Sequence, residues 1–128
     1  MLDFKDIRIN RVDMIEKFVA EFDITALRFF ETIYAGDTIH YGAFKVKVYE
    51  TNYNNDDAPE EIGFTGYTNL RLRDPDGNHE GGIGYGLTIE ESLQKTTAYF
   101  LDLIEEYKLD KGTGLSKEDF VIIPYDEF

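Results

Sequence analysis

The stretch Gly81-Gly-Ile-Gly-Tyr-Gly-Leu-Thr-Ile-Glu-Glu-Ser-Leu93 predicts a strand that runs directly into a helix. Thr88 and Glu91 have the Thr-x-x-Glu spacing of a capping box, in which each side chain satisfies an exposed main-chain N–H at a helix start. The helix should continue to Gly112-Thr-Gly114, where glycine favours termination. Its buried stripe is predicted to contain Ile89, Leu93, Phe100, Ile104 and Tyr107.

The glycine run Gly81–Gly86 invites comparison with phosphate-binding loops, which place glycines before a helix. Neither the Gly-x-Gly-x-x-Gly nor the Gly-x-x-x-x-Gly-Lys-Ser/Thr spacing occurs here. Glu90 and Glu91 also place negative charge at the helix start. The run therefore favours a bulge or a close strand crossing, where side chains have no room.

Upstream of the glycine run, the sequence predicts antiparallel strands. Residues 44–49 alternate between apolar and polar side chains, the period of a half-buried strand. After an exposed loop over Asn52–Glu61, a second strand should run from Ile62 to Arg73. Asp74-Pro-Asp-Gly77 is a turn sequence that should reverse the chain into a third strand ending near Tyr85.

The N-terminal region reads as a helix. Ile15, Phe18, Val19 and Phe22 recur at three- and four-residue steps, which predicts a helix over Arg11–Phe22. The stripe can continue to Gly36. Alternatively, a break at Asp23 is followed by a strand over 25–34, because that segment is rich in β-forming residues.

The combined pattern predicts one α+β domain over residues 1–128. It contains an N-terminal helix, a sheet of about three antiparallel strands, a second amphipathic helix and a short C-terminal strand. Ser116–Asp119 should form one helical turn, and the strand should follow at Phe120–Pro124.

Composition limits the kinds of partner. The net charge is −13, and acidic residues occur throughout both halves of the chain. The electrostatic field of this negative charge repels nucleic acid and attracts basic surfaces. The chain has no cysteine, which excludes disulfides and thiolate chemistry, and it has no apolar run of membrane-spanning length. We expect a cytoplasmic protein with no membrane contact.

No residue pattern points to catalysis, so we expect a protein that is not an enzyme and has no cofactor. The two histidines are His40 and His79, and the two serines are Ser92, within the second helix, and Ser116, a predicted cap. These are poor settings for a Ser/His/acid triad. The polar run from Asp74 resembles a calcium loop, but His79 stands where glycine is needed, so no metal site is predicted.

Acidic and aromatic residues are the predicted partner-binding groups. Acids one turn apart on a helix are separated by about 5–6 Å, close to the phosphate repeat of a nucleic-acid strand. Tyrosine adds contact area with a polar tip. The predicted binding residues are Glu91, Asp102, Glu105, Glu106, Tyr49, Tyr53 and Tyr67. We expect them to contact a basic protein surface on a nuclease or a toxin. Ordinary packing and a solvated charged face are the alternative interpretations.

Two resemblances bear on function. The segment Gly82–Tyr107 resembles the strand–turn–helix step of HicB-like antitoxin domains, which implies a regulatory domain that covers a small toxin. The size, acidity and tyrosine content are similar to those of phage-encoded inhibitors of bacterial defence, including anti-CRISPR proteins and other nucleic-acid mimics. That likeness implies a non-enzymatic inhibitor. A protein that sequesters a small ligand or a nucleotide, forming a homo-oligomer, is a third hypothesis.

Overall fold

The structure is a computed structural model that describes residues 4–54 and 63–128. It confirms the α+β class with an antiparallel sheet, but that sheet has five strands instead of about three. The elements are β1 Met14–Thr25, α1 Leu27–Glu31, β2 Ala43–Tyr53, β3 Phe64–Arg73, β4 His79–Gly86, α2 Ile89–Lys111 and β5 Phe120–Ile122. The strands lie in the order β1-β2-β3-β4, and β5 pairs with β3.

The predicted N-terminal helix over Arg11–Phe22 is wrong, because β1 occupies most of this segment. Strand β1 pairs with β2, and the register shifts between Phe18 and Ala20. The extra residue at this bulge moves the apolar side chains from one face of the sheet to the other. A strand with such a shift has apolar residues three and four positions apart, which is the spacing of a helix.

Both expectations for the segment 25–36 are also wrong. Only α1 is helical there, and the chain forms neither a long helix nor a strand over 25–34. Phe30 and Ile33 are buried in the core. The Tyr34 hydroxyl accepts from the main-chain N of Tyr41 at 2.8 Å and donates to its carbonyl at 3.1 Å, which holds the following loop against α1.

The predicted strands before the helix are confirmed as β2, β3 and β4. Strand β2 extends to Tyr53, further than expected, and residues 55–61 of the predicted loop lie outside the described residues, as does Ile62. Asp74 organises the turn, because its Oδ1 accepts from the main-chain N of Asp76 and of Asn78, each at 3.0 Å. Gly77 in this turn has a φ of +87°.

Helix α2 packs directly on the backbone of the glycine-containing strands. A Cβ atom placed at Gly82 would lie 2.7 Å from Cβ of Phe100, and one at Gly86 would lie 2.6 Å from the main-chain N of Ser92. One at Gly84 would overlap Thr96. The glycines thus permit a close approach, but of a helix on a strand and not of two strands. The predicted bulge has a counterpart on the partner strand, because the register of β3 with β4 shifts between Tyr67 and Arg71, opposite Gly81 to Ile83.

The buried row of α2 differs in part from the predicted stripe. Its fully covered residues are Ser92, Thr96, Phe100 and Ile104. The first two are small and polar, and each hydroxyl is satisfied: Ser92 donates to the Gly84 carbonyl at 3.0 Å, and Thr96 donates to the Ser92 carbonyl at 2.7 Å. Small side chains at these positions of α2 let the helix lie close to β4, whose facing residues are glycines without a side chain.

Capping at the start of α2 is confirmed in one half. The main-chain N of Glu91 donates to Thr88 Oγ1 at 3.0 Å, whereas the Glu91 carboxylate accepts from the main-chain N of Leu87 instead of Thr88. The helix ends as predicted, with Gly112 at a φ of +76°.

The C-terminal prediction is confirmed. A 3₁₀ turn spans Lys117–Asp119 and begins with a capping box between Ser116 and Asp119, after which β5 pairs with β3. No helix among the described residues is both long and apolar enough to cross a membrane.

The core lies between one face of the sheet and α2, and α1 contributes Phe30. Its buried members are Phe30, Ile33, Tyr34, Phe44, Val46, Val48, Leu70, Leu72, Phe100, Ile104, Leu115 and Phe120.

Candidate interaction surfaces

The structure separates the predicted acidic and tyrosine residues onto opposite faces of the sheet. Val46 and Val48 of β2 are buried beneath α2, so the alternate residue Tyr49 lies on the other side, which we call the open face. Phe18 of β1 and Thr65 of β3 both pair with Tyr49, so their side chains also lie on the open face. The three tyrosines Tyr49, Tyr53 and Tyr67 are on the open face, and the acids of α2 are not.

Four acids on the second half of α2 form a solvent-exposed group, which we call the helix carboxylates. They are the predicted residues Asp102, Glu105 and Glu106, together with Asp110. None of them takes part in the ion pairs that the described residues form with one another. Leu109 in the same turns is 80% exposed, so this surface also offers an apolar contact.

The lysines of α2 do not neutralise the helix carboxylates. Lys95 pairs with Glu91 at 2.8 Å, Lys108 donates to the main-chain oxygen of Thr32, and Lys111 pairs with Asp119 at 2.8 Å. Each ammonium group is therefore directed to another partner, and the negative charge of the outward face is left uncompensated by its own helix.

Glu91, which was predicted to bind a partner, is instead engaged at the helix start. Its carboxylate interacts with Lys95 and accepts from the Leu87 N–H. The hydrogen bond from Lys95, followed by that from Leu87, lowers the pKa of Glu91. The structure thus places Glu91 apart from the helix carboxylates, three turns away.

On the open face, aromatic rings pack edge to face or at a tilt. The ring centroids of Tyr49 and Tyr67 are 5.8 Å apart, and those of Phe18 and Tyr49 are 5.7 Å apart. The Tyr67 hydroxyl lies 3.3 Å from both oxygens of Glu16 and donates to that carboxylate. Burial and the negative charge of Glu16 raise the pKa of Tyr67. Phe18 and Tyr85 remain 45% and 44% exposed.

Lys47 is a lysine held within aromatic rings on this face, and nothing in the sequence points to it. It is only 4% exposed, although its place in the alternating strand predicts an outward side chain. Its Nζ lies 3.6 Å from the ring centroid of Tyr125 and 4.3 Å from that of Phe128. It also donates to the main-chain oxygens of both residues. The segment 125–128 is thereby fixed over the sheet.

Several surface cavities border these elements. One of about 370 Å³ on the open face is lined by Glu16, Tyr49, Tyr67, Arg71, Glu127 and Phe128. Another of about 550 Å³ lies beside the C-terminal end of α2 and is lined by Arg73, Asp74, Pro75, Tyr107, Asp110, Lys111, Glu118 and Asp119.

The larger cavity is bordered by an internal polar network centred on Asp119. Its Oδ2 accepts from Lys111 Nζ and from the Ser116 N–H, both at 2.8 Å. Tyr107 donates to Oδ1 at 3.2 Å. Burial by itself would raise the pKa of Asp119, but these hydrogen bonds, led by that from Lys111, outweigh it and lower the pKa. Because the carboxylate is satisfied within the chain, we interpret this network as structural.

The serines and histidines are not brought together. Ser92 lies on the buried face of α2, against β4, and Ser116 belongs to a capping box. His40 packs edge to face on Tyr34 at 5.5 Å, and His79 Nδ1 lies 3.3 Å from Arg71 Nη1. The described residues contain no group of three or more His, Asp or Glu side chains that could hold a metal ion.

The part of the chain that the structure describes has a defined architecture: an antiparallel five-stranded sheet covered on one face by a single long helix. Comparison with protein-family models, curated proteins and solved structures gives no match.

Proposed function

We propose that this chain is a non-enzymatic, acidic interaction protein that occupies a basic nucleic-acid-binding surface of a partner, such as a defence nuclease. The observation that carries the proposal is the row of helix carboxylates on α2. All four are exposed and none is paired with a cation of the described residues.

The spacing of these acids supports the proposal. Asp102, Glu106 and Asp110 follow one another at four-residue steps, and Glu105 lies beside them. Side chains one turn apart are about 5–6 Å from each other, so the helix presents negative charge at intervals close to those of phosphates along one strand. A groove that binds a nucleic-acid strand through Lys and Arg has complementary charges at similar intervals.

The charge of the whole molecule supports the same proposal. With a net charge of −13, the chain attracts a basic surface before contact, which increases the association rate and makes it sensitive to salt. The exposed Leu109 lies among the carboxylates and supplies an apolar contact once the charges have met.

A competition experiment tests this function. The chain is immobilised and exposed to a bacterial lysate at low salt, and retained proteins are then challenged with double-stranded DNA or with RNA. We expect retained proteins that nucleic acid releases, because both ligands would occupy one basic surface. Retention should be lost in the variant Asp102→Asn, Glu105→Gln, Glu106→Gln, Asp110→Asn, which we call the helix variant.

A variant with the same net charge controls for the effect of overall charge on binding. Asp13→Asn, Glu31→Gln, Asp37→Asn, Asp126→Asn removes the same number of exposed acids elsewhere, so it has the same net charge as the helix variant. We expect it to retain the partner. Retention that nucleic acid does not reverse, or that both variants lose equally, would contradict the proposed use of α2.

A further inference from the structure

The smaller cavity, on the open face, combines rings with carboxylates. Tyr49, Tyr67 and Phe128 supply three aromatic rings, and Glu16 and Glu127 supply two carboxylates. Its volume of about 370 Å³ is within the range of about 300–1,000 Å³ of ligand pockets. The lining therefore has two features that attract an organic cation: π faces and negative charge.

The two carboxylates have no cationic partner within the described part of the chain. Glu16 and Glu127 are absent from the ion pairs formed there, and the polar contact of Glu16 is the Tyr67 hydroxyl. Glu16 is half-buried, so its charge is less well solvated than that of an exposed acid. A cation entering the cavity would compensate this charge.

Arg71 lines the same cavity but does not fill this role. Its guanidinium Nη1 lies 3.3 Å from His79 Nδ1, and it forms no cation–π contact or ion pair with the described residues. The rings of Tyr49 and Tyr67 are thus left without a cation, although Tyr67 pairs directly with Lys47 across β2 and β3 and Tyr49 lies two residues further along β2.

Lys47 provides an internal example of the chemistry. Its ammonium group sits over the rings of Tyr125 and Phe128 and donates to main-chain oxygens. The open face therefore already binds one basic side chain through aromatic rings, and Phe128 borders both that contact and the adjacent cavity.

We infer that the cavity bounded by Glu16, Tyr49, Tyr67, Glu127 and Phe128 is a binding site for an arginine side chain of a basic protein. The guanidinium plane can stack on a tyrosine ring while its N–H groups donate to a carboxylate, which an ammonium group does less well. This site lies on the opposite face from the helix carboxylates and is a second contact surface that does not depend on them.

The probe is N-acetyl-arginine N-methylamide, titrated at millimolar concentration into the full chain and followed by NMR. We expect saturable shifts of the Tyr49, Tyr67 and Glu16 resonances. The corresponding citrulline compound, which is neutral and nearly isosteric, should cause no such shifts. The variant Glu16→Gln, Glu127→Gln should bind about two- to fivefold more weakly, the size of an exposed cation–π or ion-pair contribution.

Further variants keep the test decisive. Gln at position 16 can still accept from the Tyr67 hydroxyl, so the double variant should fold, which its own spectrum checks. Arg71→Leu removes the competing positive charge and should bind at least as tightly as the wild type. The site is rejected if citrulline shifts the same residues equally, if arginine binds only at the helix carboxylates, or if the double variant binds as tightly as the wild type.

Each of the two proposals can be rejected without rejecting the other. Loss of nucleic-acid-reversible partner retention with intact arginine binding would reject only the proposed function of α2. The absence of arginine binding with intact retention would reject only this cavity as a site.

Discussion

Gly84 is a single residue that determines how closely α2 packs against β4. A Cβ atom at this position would lie 2.7 Å from the carbonyl carbon of Lys95 and would overlap the main chain of Thr96. Two of the three nearest atoms belong to the main chain of α2 and the third is Oγ1 of Thr96, so α2 itself would have to move. In contrast, a Cβ atom at Gly36 would have nothing within 4 Å.

We therefore expect Gly84→Ala to lower the free energy of unfolding by about 1–3 kcal/mol, as overpacking does in a close-packed interior. Gly36→Ala, the matched control, should change it by less than about 0.5 kcal/mol. Urea unfolding followed by circular dichroism measures both. Equal stability of the two variants would show that α2 does not pack as closely as described.

Asp119 should give the chain a specific dependence on pH. Its pKa is lower in the folded chain than in the unfolded chain, where the pKa of Asp is about 3.9. Its contribution to stability is therefore present above that value and is lost as the pH falls through the folded pKa. Asp119→Asn should reduce the free energy of unfolding by about 1–3 kcal/mol at neutral pH, because charged hydrogen bonds are removed.

Below the folded pKa of Asp119 the wild type and Asp119→Asn should converge in stability. Urea midpoints measured across the acidic range check this, with Asp37→Asn as the control for an exposed acid. A stability difference that stays constant from neutral to strongly acidic pH would contradict the assignment to the ionised carboxylate.

Among the elements, the C-terminal segment 125–128 depends on Lys47. Replacing Lys47 by Met keeps an apolar stem but removes the ammonium group from the rings of Tyr125 and Phe128. We expect the amide order parameters of 125–128 to fall from about 0.85 towards less than about 0.6, the values of rigid and flexible backbone. NMR relaxation of ¹⁵N measures this.

Lys45→Met is the control for the Lys47 prediction. Lys45 is on the same strand and face, but it pairs with Asp23 at 2.7 Å and Glu21 at 3.5 Å in partly exposed positions. Such solvent-exposed pairs contribute little to stability. The order parameters of segment 125–128 should be unchanged by this substitution. If Lys45→Met loosens the segment as much as Lys47→Met does, the ring contacts are not what holds it.

The elements also show which parts of the fold the sequence could reveal. Strands β2 to β4, the Asp74 turn, and both ends of α2 follow from local signals, since alternation, turn residues and caps act within a few positions. Strand β1 was predicted as a helix because a bulge after Phe18 gives it helical spacing. A bulge is fixed by the partner strand, which a single sequence does not reveal.

The candidate sites also include features that local sequence patterns predict and features that they do not. The sequence indicates that α2 is acidic, and the structure places Asp102, Glu105 and Glu106 together on its exposed face. It could not indicate that the tyrosines lie on the opposite face, because that depends on which side of the sheet α2 covers. Likewise, the contact of Lys47 with Tyr125 joins residues 78 positions apart, beyond any local pattern. The HicB-like and anti-CRISPR resemblances stay predictions.

At the scale of the whole molecule, uncompensated charge should reduce stability. A net charge of −13 makes the compact state repel itself, and salt screens this repulsion. We expect the urea midpoint to rise between low and moderate sodium chloride. The helix variant, with four fewer negative charges, should start at a higher midpoint and show a smaller rise. A midpoint that is independent of salt in both proteins would contradict this account.

The close packing of α2 on the glycines of β4 has a consequence for how the binding surface of this protein could change in evolution. The helix is anchored near its start by main-chain contact with β4, through Ser92 and Thr96, whereas the carboxylates lie on later turns that face solvent. Substitutions at those outward positions leave the anchor untouched. The same scaffold can therefore accept new outward residues, and hence a new recognition specificity, without having to be rebuilt at its centre.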